Sequence, residues 1–251
     1  MENRVALITG GGSGIGLAIA QAFAKAGITP VLAGRSKARL EEAAAQIPGA
    51  AYVPLDVTSE ESVQQAFSHL HTAGYQPDIL VNNAGAASTA PLERTDLSAW
   101  QSMLDVNLTG AFLCTRAALP AMRKYGFGRV ITIASTAGLK GYAYTAAYAA
   151  AKHGVIGMTR SLALELAGTG ITANAVCPGF TDTDIVQNSV RNIVEKTGRS
   201  EEEALKGLTK NNPENRLVTT AEVADAVMWL AGEQASAING QAIAVACGEI
   251  M

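Results

Sequence analysis

Short β-branched apolar runs alternate along this chain with longer stretches whose apolar positions recur every three or four residues. The first pair sets the pattern. Val5-Ala6-Leu7-Ile8 is a continuous apolar run, and from Gly14 to Ala26 the residues Ile15, Ala18, Ile19, Ala22 and Phe23 fall on one helix face. Further strands are predicted at Val31-Leu32-Ala33, Ala51-Tyr52-Val53, Ile79-Leu80-Val81, Val130-Ile131-Thr132-Ile133, Thr172 to Val176, and Ala242 to Val245. Thr58-x-x-Glu61 and Thr219-x-x-Glu222 have the spacing of a capping box ahead of an apolar-periodic stretch, so helices are predicted to begin at both. Short strands without a polar face belong in a parallel sheet buried on both sides, each crossover laying a helix over one face. The predicted fold class is therefore α/β: a single-domain, Rossmann-type, doubly wound parallel sheet of seven strands with helices on both faces. In such sheets ligands collect beyond the carboxyl ends of the strands. The segment from Thr183 to Asn212 is irregular and carries Arg191, Lys196, Arg199 and Lys206 among acidic residues, which fits a mobile lid or a pair of surface helices.

Composition narrows the function classes. A length of 251 residues with 48% hydrophobic content and abundant Gly and Ala is enough for a sizeable core of closely packed helices on a sheet. A net charge of −3 without a long basic run leaves nothing to grip a phosphate backbone, so nucleic acid is not an expected partner. Cys114, Cys177 and Cys247 are odd in number and sit in apolar stretches, the pattern of reduced, unpaired thiols. His69, His71 and His153 have no neighbouring Cys or carboxylate cluster, so no metal site is expected and the first two read as part of a solvated helix face. The apolar run Val5 to Ile8 passes straight into glycines, which is unlike a signal peptide, and no apolar segment is long enough to span a bilayer. A cytoplasmic location is expected.

Chemistry begins at Thr9-Gly10-Gly11-Gly12-Ser13-Gly14-Ile15-Gly16. This turn follows the first strand and opens the first helix, where the phosphates of a dinucleotide need close backbone approach and a helix N-terminus. Gly10, Gly14 and Gly16 are its key positions. Further along, Tyr148 and Lys152 are one helical turn apart, so on a helix they share a face. A phenol with an ordinary pKa of about 10 is a poor acid-base catalyst near neutrality, and an adjacent ammonium is expected to lower that value. Ser135 closes the predicted strand Ile131 to Ala134, where its hydroxyl can hold a substrate oxygen.

The turn T-G-x-x-x-G-x-G is similar to that of the short-chain dehydrogenase/reductase family, and the resemblance extends over nearly the whole chain. Asp56-Val57, Asn82-Asn83-Ala84-Gly85, Asn107, Ser135, Tyr148-x-x-x-Lys152 and Pro178-Gly179 occur in the family order. The resemblance implies that Ser13 and Ile15 join the glycines around the cofactor and that Asp56 and Val57 flank the adenine. It also implies that Asn83, Ala84 and Gly85 support the adenine ribose, and that Pro178, Gly179, Phe180, Thr181 and Thr183 meet the nicotinamide end. Asn107, Ser135, Tyr148 and Lys152 are the implied catalytic set, with Asn107 holding a water that links Lys152 to solvent. A homotetramer is implied as well. Read singly, Asp56 is equally a helix-approach cap and Asn82 to Gly85 an ordinary turn.

At the end of the second strand an acidic residue would favour NAD, whereas here Gly34 leaves that place empty and Arg35 follows, with Ser36 next. NADP is the expected cofactor, with NAD as the alternative. Thr136, Leu139, Tyr142, Tyr144, Phe180 and the stretch Ile185 to Val190 are expected to wall a mostly apolar pocket for a small carbonyl or alcohol. The likeness to family members acting on 3-oxoacyl or 3-hydroxyacyl thioesters makes such a thioester a candidate. The expected activity is hydride transfer between a nicotinamide and a secondary alcohol or ketone; a non-catalytic redox sensor is the second class. A serine hydrolase is disfavoured, since no G-x-S-x-G elbow with a following acid and histidine is present.

Overall fold

In a computed structural model, which describes residues 4–250 apart from the Lys196 side chain, each apolar run of the sequence is a strand. The strands are β1 (Val5–Thr9), β2 (Thr29–Gly34), β3 (Ala51–Pro54), β4 (Ile79–Asn82), β5 (Gly128–Ile133), β6 (Ile171–Pro178) and β7 (Ala242–Val245). They form one seven-stranded sheet in the order β3-β2-β1-β4-β5-β6-β7, and every pairing is parallel. The winding reverses between β1 and β4, the crevice where this class of sheet binds ligands.

Nine α-helices are described: α1 (Gly14–Lys25), α2 (Lys37–Ala45), α3 (Glu60–Thr72), α4 (Leu97–Leu104), α5 (Gly110–Tyr125), α6 (Ala146–Glu165), α7 (Asp184–Thr197), α8 (Glu201–Thr209) and α9 (Thr220–Ala231). Because successive strand residues face opposite ways, Leu7 and Ile8 enter different cores. Ile8, Ile131 and Val176 pack with Ile19, Phe23, Val223 and Leu230 of α1 and α9. On the other face Leu7, Leu80 and Val130 meet Val63 and Leu70 of α3, Leu113 and Met122 of α5, and Leu162 of α6. Each fully buried side chain of this kind contributes about 1.5–3 kcal/mol of transfer free energy, so both faces of the sheet are anchored.

Local signals were legible at one predicted helix start and misleading at the other. Thr219 caps α9 in a full capping box with Glu222. Thr58, however, does not cap α3: Ser59 does, its hydroxyl accepting from Ser62 N at 3.2 Å. The backbone N–H and hydroxyl of Thr58 both donate to Asp56 Oδ1, at 2.9 and 2.7 Å. The charged carboxylate two residues back is the stronger local acceptor, so Thr58 is recruited as a donor and the helix starts one residue late. The irregular segment from Thr183 resolves into α7 and α8, and Ser200 with Glu203 forms a capping box that the sequence reading passed over. Between α4 and α5 the helical path widens into a π turn, Asp105–Thr109. Among the described residues no helix is long and apolar enough to cross a membrane.

Candidate active site

The β1–α1 turn is shaped by close backbone approach. Gly10 and Gly14 have φ of +65° and +52°, a region that favours glycine. A Cβ on Gly16 would lie 2.3 Å from Gly10 O and 2.6 Å from Asn83 Nδ2, so the helix can seat against the turn only without a side chain there. The turn is also tied to the loop after β4. Asn83 Nδ2 donates to Thr9 O at 2.9 Å and to Gly10 O at 3.2 Å, while the backbone N–H groups of Asn83 and Ala84 both donate to Thr9 Oγ1 at 2.9 Å. The Asn83 amide nitrogen is thus spent on holding the glycine turn. Ser13, the N-cap of α1, makes no side-chain cap bond, and no acidic residue stands in the first turn. The leading N–H groups of α1 therefore keep their capacity and their positive end of the helix dipole for an anion, which fits a dinucleotide's phosphates.

Arg35 is exposed just past β2 and lies close enough to Asp56 to favour its carboxylate. The main cause of the lowered Asp56 pKa is the pair of bonds from Thr58, with Arg35 adding to it. Asp56 therefore acts as a turn-forming acceptor and not as the cap of α3, a place that Ser59 takes. Ser36 caps α2, accepting from Arg39 N at 3.4 Å. The stem of Arg39 runs beside the glycine turn, since a Cβ on Gly12 would sit 3.3 Å from Arg39 Cγ. Arg39 is a second cation at this corner that the sequence reading missed; its signal was its place in the first turn of the helix that follows Arg35. Val57 is buried against Gly110, where a Cβ would approach Val57 Cγ2 to 2.7 Å, so its side chain packs α5.

Tyr148 and Lys152 share a face of α6. Lys152 Nζ lies 5.6 Å from the Tyr148 ring centre and donates to Ile133 O at 2.8 Å, fixing it behind the carboxyl end of β5. Ser135 opens a short 3₁₀ turn, Thr136–Gly138, its Oγ accepting from Ala137 N at 3.1 Å. Asn107, in the π turn, donates from Nδ2 to Ala86 O at 2.9 Å and Met103 O at 3.0 Å. π turns of this kind often mark functional positions because they re-aim one side chain. Asn107 and Lys152 converge on Gly85, where a Cβ would meet Asn107 Oδ1 at 2.7 Å and Lys152 Nζ at 3.7 Å. The four residues singled out as catalytic thus lie around one point.

The electrostatics differ from expectation. Burial holds the Tyr148 phenol above its ordinary pKa, and the Ser135 hydroxyl opposes this only in part. The same dryness pushes the Lys152 ammonium down to about 8. Loss of water penalises phenolate and ammonium alike, so closeness of the two does not by itself acidify the phenol. Near neutrality Tyr148 holds its proton. Cys177, buried at the end of β6, has its thiol pushed up to about 11 by burial, with Lys152 pulling the other way; nothing local in the sequence pointed to its place beside the pair.

On the far side, Thr136 is buried, Leu139 and Tyr142 are half-buried, and Phe180 meets Tyr142 edge-on at 6.2 Å. Tyr144 is exposed, with φ of +66°. Pro178 ends β6 and Gly179 N donates to Val245 O. Thr181 and Thr183 bond within their own loop, Thr181 Oγ1 to Gly179 O and Thr183 Oγ1 to Thr181 O. A cleft of about 340 Å³ separates Gly14 and Leu17 from Thr183 and Gln187. Glu249, from the C-terminal segment, also reaches this side and was not anticipated, since its partner Tyr142 is remote in sequence.

The family model described as short chain dehydrogenase matches residues 4–193. The chain belongs to the short-chain dehydrogenase family. A D-beta-hydroxybutyrate dehydrogenase of Rhizobium meliloti is 36% identical over 244 residues, covering 94% of this chain and 95% of that one. A 3-oxoacyl-(acyl-carrier-protein) reductase of Aquifex aeolicus is 38% identical over 250 residues, covering 98% and 96%. Among solved structures, an actinorhodin polyketide ketoreductase with NADPH superposes with a TM-score of 0.92 at 36% identity, over 99% of each chain. This short-chain dehydrogenase is an NAD(P)-dependent oxidoreductase acting on a small molecule, with hydride passing between the nicotinamide and a secondary alcohol or ketone.

Proposed function

We propose that Tyr148 is the proton donor and acceptor of this reaction, with Lys152, Ser135 and Asn107 positioning it, and that the chain works with NADP. The observation that carries this reading is the convergence of the Tyr148 phenol, the Lys152 ammonium and the Ser135 hydroxyl at the carboxyl end of β5, with Lys152 facing Gly85 of the loop after β4. A bound nicotinamide dinucleotide supplies the hydride or takes it up. Ser135 orients the substrate oxygen by hydrogen bonding. Tyr148, kept protonated by its burial, gives its proton to that oxygen during reduction; oxidation is the reverse, the proton of the alcohol passing to a Tyr148 that has first lost its own. Lys152 places a positive charge behind the phenol as its proton leaves, which is where a developing phenolate needs it. Asn107 fixes the loop at Ala86 over this pair and is assigned the water that links Lys152 to solvent.

The residues present fit the cofactor. A Cβ would fill the cradle at Gly10 or Gly16, and the open end of α1 faces it. Gly10, Ser13, Gly14, Ile15 and Gly16 would hold the phosphates, Asp56, Val57, Ala84 and Gly85 the adenosine, and Pro178, Gly179, Thr181 and Thr183 the nicotinamide end. Arg35, with Arg39 beside it, would hold the 2′-phosphate, and no acidic residue occupies the end of β2.

The substrate is read as a ketone or secondary alcohol, with 3-oxoacyl thioesters among the candidates because relatives of this length carry that name. One domain is assigned to the whole chain, with α7 and α8 as a lid over about 183–212. A cytoplasmic homotetramer is the proposed assembly: Leu97, Phe112 and Leu164 are 79%, 43% and 80% exposed, apolar positions on helices that a partner would cover.

A screen of ketones and acetoacetyl-CoA, following reduced nicotinamide by absorbance, tests the activity. Tyr148→Phe is expected to lower kcat/KM by about 10²–10⁴-fold with NADPH binding retained, the size of a lost general acid; full activity in the variant would remove the assignment. Wild type is expected to favour NADPH over NADH, and Arg35→Ala to erase roughly tenfold of that preference, as for one charge-assisted bond. A wild type that prefers NADH would overturn the cofactor reading.

A further inference from the structure

The C-terminal segment places a carboxylate beside the substrate wall. After β7 the chain turns through Cys247 and Gly248, with φ of +49° and +80°, and Glu249 N donates to Ala246 O. The Glu249 side chain is only 3% exposed. Its Oε1 accepts from the Tyr142 hydroxyl at 2.6 Å and lies 3.2 Å from Lys140 Nζ. Its Oε2 points towards Gly179, where a Cβ would come within 3.2 Å. Tyr142 Oη is also 2.8 Å from Thr136 Oγ1. A phenol has one proton and the carboxylate is the stronger acceptor, so Tyr142 donates to Glu249 and Thr136 donates to Tyr142. Lys140 lies 4.9 Å from the centre of the same Tyr142 ring. The cluster therefore adjoins Ser135 through Thr136, and Phe180 through Tyr142.

A buried carboxylate is tolerated only when paired, and Lys140 supplies the pairing. That leaves the Lys140 charge committed. A substrate with its own carboxylate one or two carbons from the reacting carbon would find the Lys140 charge already spent on a buried anion. We propose that Glu249 sets the substrate class, admitting uncharged carbonyl compounds such as ketones, esters and thioesters and turning away free 3-oxo acids. Glu249 acts as a specificity residue through Lys140 and Tyr142, and the inference rests on the reading that reduction occurs at Tyr148.

Acetoacetate and ethyl acetoacetate share the reacting ketone and differ in the charge, so their kcat/KM ratio within each variant is the readout. Wild type is expected to favour the ester. Glu249→Gln keeps an acceptor for Tyr142 but frees Lys140; the acid-to-ester ratio is expected to rise roughly tenfold or more, chiefly through a lower KM for the acid. Lys140→Met is expected to lower the ratio, and combining the two substitutions to abolish the gain. A wild type that prefers acetoacetate, or a Glu249→Gln enzyme with an unchanged ratio, would overturn the proposal. Should Glu249→Gln fail to fold, a Lys140→Met ratio that does not fall overturns it equally. A fully active Tyr148→Phe would instead sink the reading of the proton donor, leaving the acid-to-ester ratio to decide Glu249.

Discussion

The glycine turn and the start of α7 face each other across one cleft, yet the turn and the α7–α8 excursion are held by different means. The turn is fixed by backbone contacts and by side chains that serve only the backbone, with Thr9 and Asn83 tying β1 to β4. Gly11 and Gly16 approach neighbouring main-chain atoms so closely that no side chain fits. Opposite, α7 and α8 are organised around a small separate cluster of Val186, Val190 and Ala204, and their outer residues are mostly exposed. A cofactor common to a family demands one fixed cradle, whereas substrates differ, so tolerance to change is concentrated where packing is thin.

Gly16→Ala should break the contrast most severely. The new methyl would lie 2.3 Å from Gly10 O, a backbone atom that cannot rotate away. Overpacking of this kind costs about 1–3 kcal/mol, and relief by moving α1 would open the cradle. Loss of stability in urea unfolding together with a rise of about tenfold or more in the Kd for NADPH is expected, by analogy with a misplaced anion site. Unchanged binding would mean that the turn is more yielding than its contacts imply.

Those contacts were only partly legible in the chain. All seven strands followed from the apolar runs, because burial on both faces leaves a continuous apolar run in the sequence, whereas α7 and α8 lay in a segment that read as irregular. The site residues that came from motifs, Ser135, Tyr148 and Lys152, fell together because the parallel sheet delivers strand ends to one edge. Features depending on competition between neighbours were hidden. Asp56 draws Thr58 away from the helix start, and burial outweighs the Ser135 hydroxyl at Tyr148. Glu249 was invisible for a different reason: its carboxylate meets Tyr142 across most of the C-terminal half of the chain, and no local spacing encodes that approach.

Lys152→Met sharpens the comparison on the fixed side by separating function from stability. The ammonium is 5% exposed and its pKa falls from 10.5 to about 8 in the folded protein. Between those values the unfolded chain holds more protons than the folded one, so folding stability rises with pH across that window. Below about pH 8 the buried charge costs up to about 3 kcal/mol relative to the neutral amine. The variant should therefore be more stable than wild type at pH 7 while its turnover falls, and the difference in unfolding free energy should shrink from pH 8 to 10.5. A variant less stable than wild type at pH 7 would show instead that the bond from Nζ to Ile133 O outweighs the desolvation.

Ser200→Ala tests the thinly packed side with the smallest perturbation. Ser200 Oγ accepts from Glu203 N at 3.2 Å, and Glu203 Oε2 accepts from Ser200 N at 3.0 Å, so one substitution removes half of the capping box of α8. Such a cap is worth about 1 kcal/mol. If α7 and α8 open as a unit separate from the sheet, that loss appears as faster amide exchange confined to Glu201–Thr209 and as a raised KM, with Tm unchanged. The same substitution at Thr219, whose helix α9 packs directly on α1 and the sheet, should lower Tm instead. Equal Tm shifts from the two caps would mean that the excursion folds with the core, and that the contrast between the two walls of the cleft is one of composition alone.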